Sequence, residues 1–443
     1  MNRELAKSER FQPITLSNVD SIPQWRSLDR GLRESIKVVG NVLPFRTNRF
    51  VVDNLIDWSQ VPDDPIFQLT FPQRGMLTAA NYNTVLGLIN GSASPEEMRE
   101  VIYRIRLSLN PHPAGQATAN VPVVNDEEVE GIQHKYTETM LFFPSQGQTC
   151  HAYCTFCFRW PQFVNDDLGR FRSSDIDSLI EYLRQHKELT DIIFTGGDPM
   201  VMKTSVFIRY IEAILDDPRL EHIQNVRIGT KSLAYWPQRF VSDPDADQML
   251  KLFESIVDSG RSLAIMAHMS HPVELEPEVA QLAIRRIRQT GAVVRMQSPL
   301  IRHVNDDPEL WSQLWQRGVQ LGCIPYYLFV ERDTGARNYF EVPLLRCWKI
   351  FQSAYSQVSG LARTVRGPSM SAWPGKVHIL GVRNMGADTA FMLEYLQCRR
   401  PELVRRPFFA KFDPKATWFD QLQPYDNSDA EMFPQFWPDS DSD

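Results

Sequence analysis

The 443-residue sequence is poor in cysteine and has no apolar run long enough to cross a membrane. Only six residues are cysteine, which does not suit the disulfide framework of a secreted protein. No apolar stretch approaches the roughly 18 residues of a membrane-spanning helix. The opening segment, MNRELAKSERF, lacks the apolar core of a signal peptide. These absences predict a cytoplasmic protein with no membrane partner.

The sequence also lacks an excess of positive charge. Its formal net charge is −7, so a broad nucleic-acid-binding face is not expected. Hydrophobic residues make up 43% of the chain and charged residues 23%, as in ordinary globular proteins. The length is sufficient for two or three domains around a large core.

Three of the six cysteines lie within one short segment, CHAYCTFCFR, as Cys150, Cys154 and Cys157. Three thiolates on one loop form a ligand set for a soft metal or an iron–sulfur cluster. A structural zinc site or an ordinary four-iron cluster uses four protein ligands, so this set leaves one coordination position open. Two alternatives remain from the residues alone: a zinc site completed by His151 or a distant cysteine, and three inert buried thiols.

A regular alternation of short apolar runs and amphipathic helical patterns begins at Thr139. The pattern predicts parallel strands joined by right-handed crossovers, an α/β fold. The predicted strands are 139–143, 191–195, 226–230, 263–267, 293–297 and 326–330, and the predicted helices are 174–187, 204–216, 245–259, 277–290, 308–321 and 343–358. Six such units fit a partial or closed barrel, with an open doubly wound sheet as the alternative. Chemistry in a barrel gathers on loops after the strands, and the cysteine segment follows the first strand.

Three regions are expected from the change of pattern along the chain. Residues 1–130 form a mostly helical N-terminal region, 131–365 form the (β/α)6 core, and 366–443 form a C-terminal extension. Within the first region, 94–110 has helical spacing with Ser94 as N-cap. The aromatic part of the extension is expected to pack over the body or a partner subunit, and its acidic end, WPDSDSD, to be disordered.

The cysteine motif, with Phe156 directly before its last cysteine, resembles that of the radical S-adenosylmethionine enzymes. The resemblance implies that the three cysteines bind a [4Fe-4S] cluster whose fourth iron chelates S-adenosyl-L-methionine. Reductive cleavage would then give a 5′-deoxyadenosyl radical that abstracts hydrogen from substrate. It also implies a partial (β/α)6 barrel and an electron donor such as flavodoxin or ferredoxin.

A longer ordered series of segments is similar to the lysine 2,3-aminomutase family. The series comprises DDPIFQLTFPQ, CHAYCTFCFR, TGGDPM, VRIGTK followed by PQR, HMSHP, MQSPLIRHVND, PYYLFVERD and PGK. This resemblance implies an isomerase that moves an amino group within a small amino-acid-like substrate. It further implies pyridoxal 5′-phosphate as a cofactor and a homo-oligomeric assembly.

Besides Lys376, the resemblance assigns six residues to cofactor binding: Phe156 in the cysteine motif, and five residues farther along the chain that it places at S-adenosyl-L-methionine. Gly196 and Gly197 follow a strand and allow close backbone approach to a ligand, and Asp198 could accept from an ammonium group. By itself this run could be only a tight strand-to-helix turn. His268 and Gln297 fall at the ends of the fourth and fifth strands, and the resemblance places both beside the same ligand. A lone histidine there could equally be structural.

Lys376, in the segment WPGK, matches the lysine that holds pyridoxal phosphate in the family. A lysine amine can form a Schiff base with that cofactor, which then carries the radical. Arg159 matches the arginine that binds the substrate carboxylate, for which a guanidinium is well suited. The alternatives are an exposed loop lysine and a solvent-facing arginine. The family arginine that serves the cofactor phosphate is replaced here by Thr139, so another group must hold the phosphate.

Arg332 and Ser369 stand where the lysine enzyme has two aspartates for the substrate ammonium group. Glu331 and Asp333 are adjacent, so a shift of one residue in the match would restore one carboxylate. With Arg332 at that place, a cation repels an ammonium ion, so the substrate is expected to be an amino acid with a neutral or anionic side chain, not lysine. Asp307 replaces a family zinc ligand, and no structural zinc is expected.

Three functional hypotheses follow. The first is a pyridoxal-phosphate-dependent amino-acid 2,3-aminomutase that uses radical chemistry. The second is a radical enzyme that acts without pyridoxal phosphate on another carboxylate-bearing substrate. The third is a non-catalytic protein stabilised by a metal.

Overall fold

The computed structural model describes residues 10–91, 93–110, 120–124, 127–164 and 171–437. The expected disordered acidic end lies outside the described residues from 438 onward. Within the described part, the α-helices are α1 (Arg30–Val42), α2 (Arg49–Asn54), α3 (Pro65–Thr70), α4 (Ala79–Asn90), α5 (Pro95–Leu109), α6 (Ile176–Gln185), α7 (Thr204–Leu215), α8 (Ser232–Tyr235), α9 (Ala246–Asp258), α10 (Glu278–Gln289), α11 (Pro308–Gln320), α12 (Arg337–Phe340) and α13 (Leu344–Ser356). Among these described helices, none has the length and apolar character needed to span a membrane.

The strands of the described part form two short two-stranded sheets and one large sheet. They are β1 (Pro13–Ile14), β2 (Thr47–Asn48), β3 (Val123–Val124), β4 (Glu127–Glu128), β5 (Ile132–Tyr136), β6 (Thr139–Phe142), β7 (Asp191–Phe194), β8 (Asn225–Thr230), β9 (Ser262–His268), β10 (Val293–Leu300), β11 (Ile324–Val330), β12 (Arg366–Ser371), β13 (Gly375–Met385), β14 (Asp388–Cys398) and β15 (Phe408–Lys411). The two short sheets pair β1 with β2 and β3 with β4.

The large sheet has 11 strands in the order β15-β14-β13-β12-β11-β10-β9-β8-β7-β6-β5. Strands β6 to β12 are parallel, whereas β5 at one end and β13 to β15 at the other are antiparallel. Helices α6, α7, α9, α10, α11 and α13 connect the parallel strands in turn. The predicted α/β class is confirmed, and the six predicted strands and six predicted helices lie within a few residues of the observed ones.

Strand β12 is a parallel strand that the sequence did not predict. Its Arg366 lies opposite Tyr327 and its Ser369 opposite Phe329 of β11. The segment RGPSMS has no apolar run, and its proline cannot donate to the ladder, so it lacks the usual signals of a buried strand. The sheet therefore continues across the expected boundary between 365 and 366.

The pleat of the parallel strands divides their side chains between two environments. In β8, Val226 and Ile228 are fully buried beneath the helices, whereas Arg227 and Gly229 line a cavity on the other face. Because successive side chains of a strand point to opposite faces, the same division recurs along the sheet. One face thus forms the core with the helices, and the other is left to form a site.

The N-terminal helical part supports the cysteine segment by direct hydrogen bonds. The Asn48 side chain donates to the His151 carbonyl at 3.1 Å, and the Tyr153 amide donates to the Arg46 carbonyl at 2.8 Å. Farther along the same region, α5 begins as predicted, because the Ser94 hydroxyl accepts from the Glu97 amide at 3.1 Å.

Candidate functional site

A cavity of about 1670 Å³ lies against the open face of the parallel strands. Its wall is formed by the loops after the strands, by alternate strand residues and by part of the C-terminal extension. The cavity brings together most of the predicted site residues: Cys150, Cys154, Phe156, Cys157, Arg159, Gly196, Gly197, Asp198, His268, Gln297, Arg332 and Lys376.

Ser369 is the predicted site residue that the structure does not bring to the cavity. It is fully buried within β12, between Phe329 of β11 and His378 of β13. Its hydroxyl has no hydrogen-bond partner among the described residues. The expected substrate contact at this position is therefore not supported, because the side chain lies inside the sheet and away from the cavity wall.

The three clustered cysteines are free thiols at the cavity wall. Burial raises the pKa of each thiol, and for Cys157 it raises the pKa to about 12, with Cys154 adding to the effect. Their sulfur atoms do not all lie within 4.8 Å of one another. A single tetrahedral zinc ion with bonds of about 2.3 Å would need sulfur separations of about 3.8 Å. At least one of the sulfur separations is therefore wider than a single tetrahedral zinc ion requires.

His151, which could have completed a zinc site, is engaged elsewhere. Its Nδ1 lies 2.9 Å from the Ser232 hydroxyl, and its ring stacks on Trp236 with centroids 6.2 Å apart. Burial lowers the pKa of His151 to about 3, so the ring is neutral. It does not line the cavity that holds the three thiols. His151 is therefore not available as the fourth ligand of a zinc ion bound by the three cysteines.

The two glycines after β7 allow their loop to touch the loop that carries the cysteines. A Cβ atom on Gly197 would lie 2.5 Å from the backbone N and O of Thr149, the residue directly before the first cysteine. The Asp198 amide donates to the Thr149 carbonyl at 2.7 Å and to the Gly147 carbonyl at 3.0 Å. Gly196 has a φ of 138°, which favours glycine. The glycines are therefore required by close packing between two loops.

The role expected for Asp198 needs correction. Its carboxylate accepts hydrogen bonds from four donors: the Thr230 hydroxyl, the Ser232 hydroxyl and the backbone amides of Met200 and Lys231. A carboxylate offers about four acceptor positions, so little capacity is left for a ligand ammonium group. Asp198 instead fastens the loop after β7 to the end of β8 and so positions the backbone beside the cysteines.

His268 and Gln297 lie opposite each other at the carboxyl-end part of β9 and β10. His268 is packed against Phe156, with ring centroids 5.7 Å apart. Burial lowers the pKa of His268 well below its usual value, so the ring is neutral. Its Nε2 is buried and has no partner among the described residues. This orphaned nitrogen beside the three thiols is a suitable contact for a polar ligand such as S-adenosyl-L-methionine.

A buried ion pair that the sequence did not reveal fixes the same end of the sheet. Lys231, after β8, donates to Glu274 at 2.7 Å, and their side chains are only 8% and 0% exposed. The lysine also donates to the Ser270 hydroxyl at 3.1 Å and to the His268 carbonyl at 3.3 Å. Lys231 and Ser270 belong to segments that resemble the family, but their pairing joins separate strands and leaves no local sequence pattern.

Lys376 lies at the start of β13 with its Nζ inside the cavity wall. The Nζ is 4.3 Å from the centroid of the Tyr327 ring and donates to the Gln397 side chain at 3.2 Å. Burial lowers its pKa to about 7, and the nearby charges of Arg366 and Arg227 act in the same direction. A large fraction of the amine is therefore neutral near pH 7, as nucleophilic attack on an aldehyde requires.

Arg159 and Arg332 flank the same aromatic ring. Their guanidinium carbons lie 5.0 Å and 5.2 Å from the centroid of Phe158. Burial lowers the pKa of Arg159 to about 10 and lowers that of Arg332, and both groups remain cationic at neutral pH. The Arg332 Nε has no partner among the described residues. Two buried guanidinium groups can bind two anionic groups of one small molecule.

Lys135 of β5 is another basic residue of the cavity wall that sequence analysis missed. Its Nζ donates to the Ala372 carbonyl at 2.6 Å. Its pKa is lowered well below the usual value by burial and then by Arg399, Arg332 and Lys376. The described residues of the cavity wall include eight lysines or arginines and four aspartates or glutamates. The cavity is therefore basic in a protein whose net charge is −7.

The position of the family zinc ligand has a different use here. Asp307 is the N-cap of α11, and its side chain accepts from the Glu309 amide at 2.7 Å. Among the described residues, one group with metal-ligand geometry is present, namely His134, His186 and Glu188. It lies outside the cavity wall, and its side chains hydrogen-bond to one another and to neighbours.

Curated relatives match this chain over much of its length. A protein of Aquifex aeolicus (strain VF5) with the provisional name L-lysine 2,3-aminomutase is 30% identical over 408 residues, covering 92% of this chain and 93% of its own. L-lysine 2,3-aminomutase of Haemophilus influenzae is 27% identical over 258 residues, covering 57% of this chain and 72% of its own. Glutamate 2,3-aminomutase of Clostridioides difficile (strain 630) is 26% identical over 214 residues, covering 48% and 47%.

Two other comparisons add less. No protein-family model matches the chain. Among solved structures, a radical SAM methyltransferase from Sphaerobacter thermophilus is similar with a TM-score of 0.36 and 18% identity, over 53% of this chain and 68% of that one. SuiB of Streptococcus suis gives a TM-score of 0.35 and 12% identity, over 59% and 51%. Scores at this level do not establish a shared fold.

Proposed function

The chain belongs to the lysine 2,3-aminomutase family of radical S-adenosylmethionine enzymes, and from this premise we propose that it is a pyridoxal-phosphate-dependent amino-acid 2,3-aminomutase whose substrate is not lysine. The observation that carries the proposal is the shared cavity of the three clustered thiols and Lys376. A radical generated at the thiols would reach a substrate held at the lysine without leaving this cavity.

The cavity residues fit the cofactors that the family implies. Cys150, Cys154 and Cys157 would hold a [4Fe-4S] cluster, and the orphaned nitrogen of His268 is available to S-adenosyl-L-methionine. Lys376 would hold pyridoxal phosphate through its amine, a large fraction of which is neutral near pH 7. When bound, these groups supply a hydrogen-abstracting radical and the means to move an amino group. An electron donor such as flavodoxin or ferredoxin would supply the initiating electron.

The basic end of the cavity supports a substrate with a neutral or anionic side chain. Arg159 would bind the α-carboxylate, since its guanidinium is buried beside the cysteines. Arg332 lines the same cavity and stays charged as a guanidinium, so a substrate ammonium group near it would meet like charge. An acidic side chain would be attracted instead. The glutamate enzyme among the relatives is consistent with such a substrate.

We also infer that the parallel strands curve into a partial (β/α)6 barrel. One cavity is lined from the first to the last strand of the six predicted ones, by Leu141, Ile193, Gly229, Met266, Gln297 and Phe329. A flat sheet would not bring alternate residues of so many strands to a single cavity. The division into regions 1–130, 131–365 and 366–443 remains our proposal for the domain organisation.

The function is tested by an anaerobic screen of amino acids with the reconstituted enzyme. We expect an acidic or neutral α-amino acid to give its β-amino isomer together with 5′-deoxyadenosine, and a Cys154→Ser variant to give neither. Turnover of lysine at a rate typical of the family would contradict the proposed substrate class. Product formation in the complete absence of pyridoxal phosphate would favour the second hypothesis, a cofactor-independent radical enzyme.

The cofactor is tested separately by spectroscopy. The protein loaded with pyridoxal phosphate is expected to absorb near the visible edge, to lose that band on borohydride treatment, and to carry the reduced pyridoxyl group on Lys376. A Lys376→Met variant should show no such band, whereas Lys349→Met, which changes an exposed lysine of α13, should behave as wild type. Labelling at any other lysine would overturn the assignment.

A further inference from the structure

The resemblance places an arginine for the cofactor phosphate at position 139, where this chain has Thr139. An arginine of another strand, Arg227, reaches the same place and contacts the threonine. Thr139 lines the cavity at the start of β6, and its hydroxyl accepts from Nη2 of Arg227 at 3.2 Å. Arg227 belongs to β8, two strands away in the sheet. Its Nε lies 2.9 Å from the Asp191 carboxylate, an ion pair by distance, although this N–H makes no hydrogen bond among the described residues. A guanidinium is therefore present beside position 139, although it comes from Arg227 and not from residue 139 itself.

A second guanidinium stands beside the same part of the cavity. Arg366, the first residue of β12, lies over Tyr326 and Tyr327 at 4.7 Å and 4.5 Å from the ring centroids. Among the described residues, no carboxylate pairs with it and no acceptor takes its hydrogen bonds, so its donors are available to a ligand. The two rings are inclined at 73° to each other, so the guanidinium contacts both without lying parallel to both, and neither contact uses up its hydrogen-bond donors.

Both arginines lie close to Lys376. The Lys376 Nζ and the Arg366 guanidinium are 4.3 Å and 4.5 Å from the same ring, that of Tyr327, so the two cations are within about 9 Å of each other. The charges of Arg366 and Arg227 are the two that act most on the lysine after burial. Two basic groups thus lie over the Tyr327 ring, and a third, Arg227, is near enough to act on the lysine and has the Asp191 carboxylate as a partner. Like charges at this spacing repel until an anion binds between them.

We propose that Arg227 and Arg366 form the phosphate-binding subsite for a pyridoxal phosphate attached at Lys376. This inference rests on the proposed function, and it assigns to these two residues the task that Thr139 cannot perform. A guanidinium binds phosphate through paired, charge-assisted hydrogen bonds, and the Thr139 hydroxyl can join them. A phosphate dianion also offsets the repulsion among the three basic groups.

The test compares binding of pyridoxal 5′-phosphate with binding of pyridoxal, which lacks the phosphate, by absorbance titration of the full-length reconstituted protein. Arg366→Gln is expected to weaken pyridoxal phosphate by about tenfold to a hundredfold and to leave pyridoxal unchanged. Arg366→Lys should lie between wild type and Arg366→Gln. Inorganic phosphate should compete with pyridoxal phosphate in wild type and compete less in the variant.

The matched control is Arg295→Gln. Arg295 also lies over Tyr326, at 5.1 Å, but it does not line the cavity. We expect it to bind both aldehydes as wild type does. For the second arginine, Arg227→Lys keeps a cation beside Asp191. We expect this variant also to bind pyridoxal phosphate more weakly than wild type does and to bind pyridoxal equally well. Unchanged pyridoxal binding in each variant serves as the internal check that the fold is intact.

Three results would overturn the inference. If wild type binds the two aldehydes equally, no phosphate subsite exists. If Arg366→Gln weakens both equally, the residue supports the fold and not the phosphate. If wild type binds neither aldehyde at Lys376, the proposed use of pyridoxal phosphate fails as a whole. The first two results differ from this one because in both of them an aldehyde is still attached to Lys376.

Discussion

Lys376 differs from an exposed lysine in both charge and contacts, and these differences determine how it should react. Its amine is buried, lies over the Tyr327 ring at 4.3 Å and is surrounded by basic groups, so protonation is disfavoured. The pKa falls from 10.5 to about 7. Because the neutral amine is the nucleophile, the protonation state limits how fast a cofactor aldehyde can be attached.

The pH dependence of cofactor attachment follows from this shift. Below the pKa of about 7, the neutral fraction falls tenfold per pH unit, so the rate should rise with pH through this range and level off above it. The measurement is the rate of the absorbance change on adding pyridoxal phosphate at a series of pH values. An exposed lysine would give a rate that keeps rising toward its ordinary pKa of 10.5. Such a continued rise would contradict the burial of Lys376.

Sequence reasoning found the residues that lie in motifs and missed those that act across strands. Cys150 and Lys376 were identified because short segments around them match the family. Arg227, Arg366 and Lys135 were not, since each reaches the cavity from a different strand and no local pattern marks the approach. Asp198 was assigned a contact with a ligand, but its carboxylate accepts from four donors, three of which come from residues 230–232 at the end of the neighbouring strand.

At the scale of elements, the alternating strands and helices from β6 to β11 were predictable from the sequence. Strands β12 to β15, which extend the sheet beyond β11, were not. Strands β6 to β11 carry apolar runs flanked by amphipathic helices, which is a strong signal of a parallel sheet. Strand β12 carries RGPSMS, and β13 to β15 form antiparallel partners within an extension that shows no such alternation. Strand β12 pairs with the edge of β11, and β13, β14 and β15 then pair with β12, β13 and β14 in turn, so the continuation depends on pairing with the preceding strand.

The contact between the loop after β7 and the cysteine loop gives a prediction for an element. Gly197→Ala would place a Cβ atom 2.5 Å from the Thr149 backbone, and backbone atoms cannot move aside as a flexible side chain can. We expect a loss of about 1–3 kcal/mol of stability, as for other overpacked sites, and less iron and sulfide bound after anaerobic reconstitution. Unfolding in urea and metal analysis measure the two effects.

A glycine without neighbours provides the control for that variant. A Cβ atom on Gly87, in α4, would meet nothing within 4 Å, so Gly87→Ala should leave the iron content unchanged and should stabilise the helix slightly. If Gly197→Ala bound iron and sulfide as wild type does, the close approach of the two loops would not be needed for the cluster.

At the scale of the whole molecule, the C-terminal extension completes the wall of the cavity. Trp418, Phe419 and Gln435 line it, although they are far in sequence from the cysteine segment. The sequence predicted that the aromatic part of the extension packs either on the body of the protein or on a partner subunit. In the structure it packs on the body. The basic cavity is thereby covered within a single chain whose overall charge is negative.

Covering matters for the proposed chemistry, because a closed site excludes water and prevents side reactions of a reactive intermediate. Trp418 is 5% exposed, and its ring centroid lies 5.8 Å from the Arg332 guanidinium at the basic end of the cavity.

Trp418→Leu keeps an apolar side chain and removes most of the ring. We expect the ratio of 5′-deoxyadenosine to isomerised product to rise severalfold and the KM for substrate to increase, since the basic end would be less enclosed. Phe436→Ala, which changes a side chain 54% exposed in the same extension, should leave the ratio unchanged. If Trp418→Leu coupled radical formation to product as tightly as wild type does, the extension would be a stabilising cover of the sheet without a part in protecting the reaction.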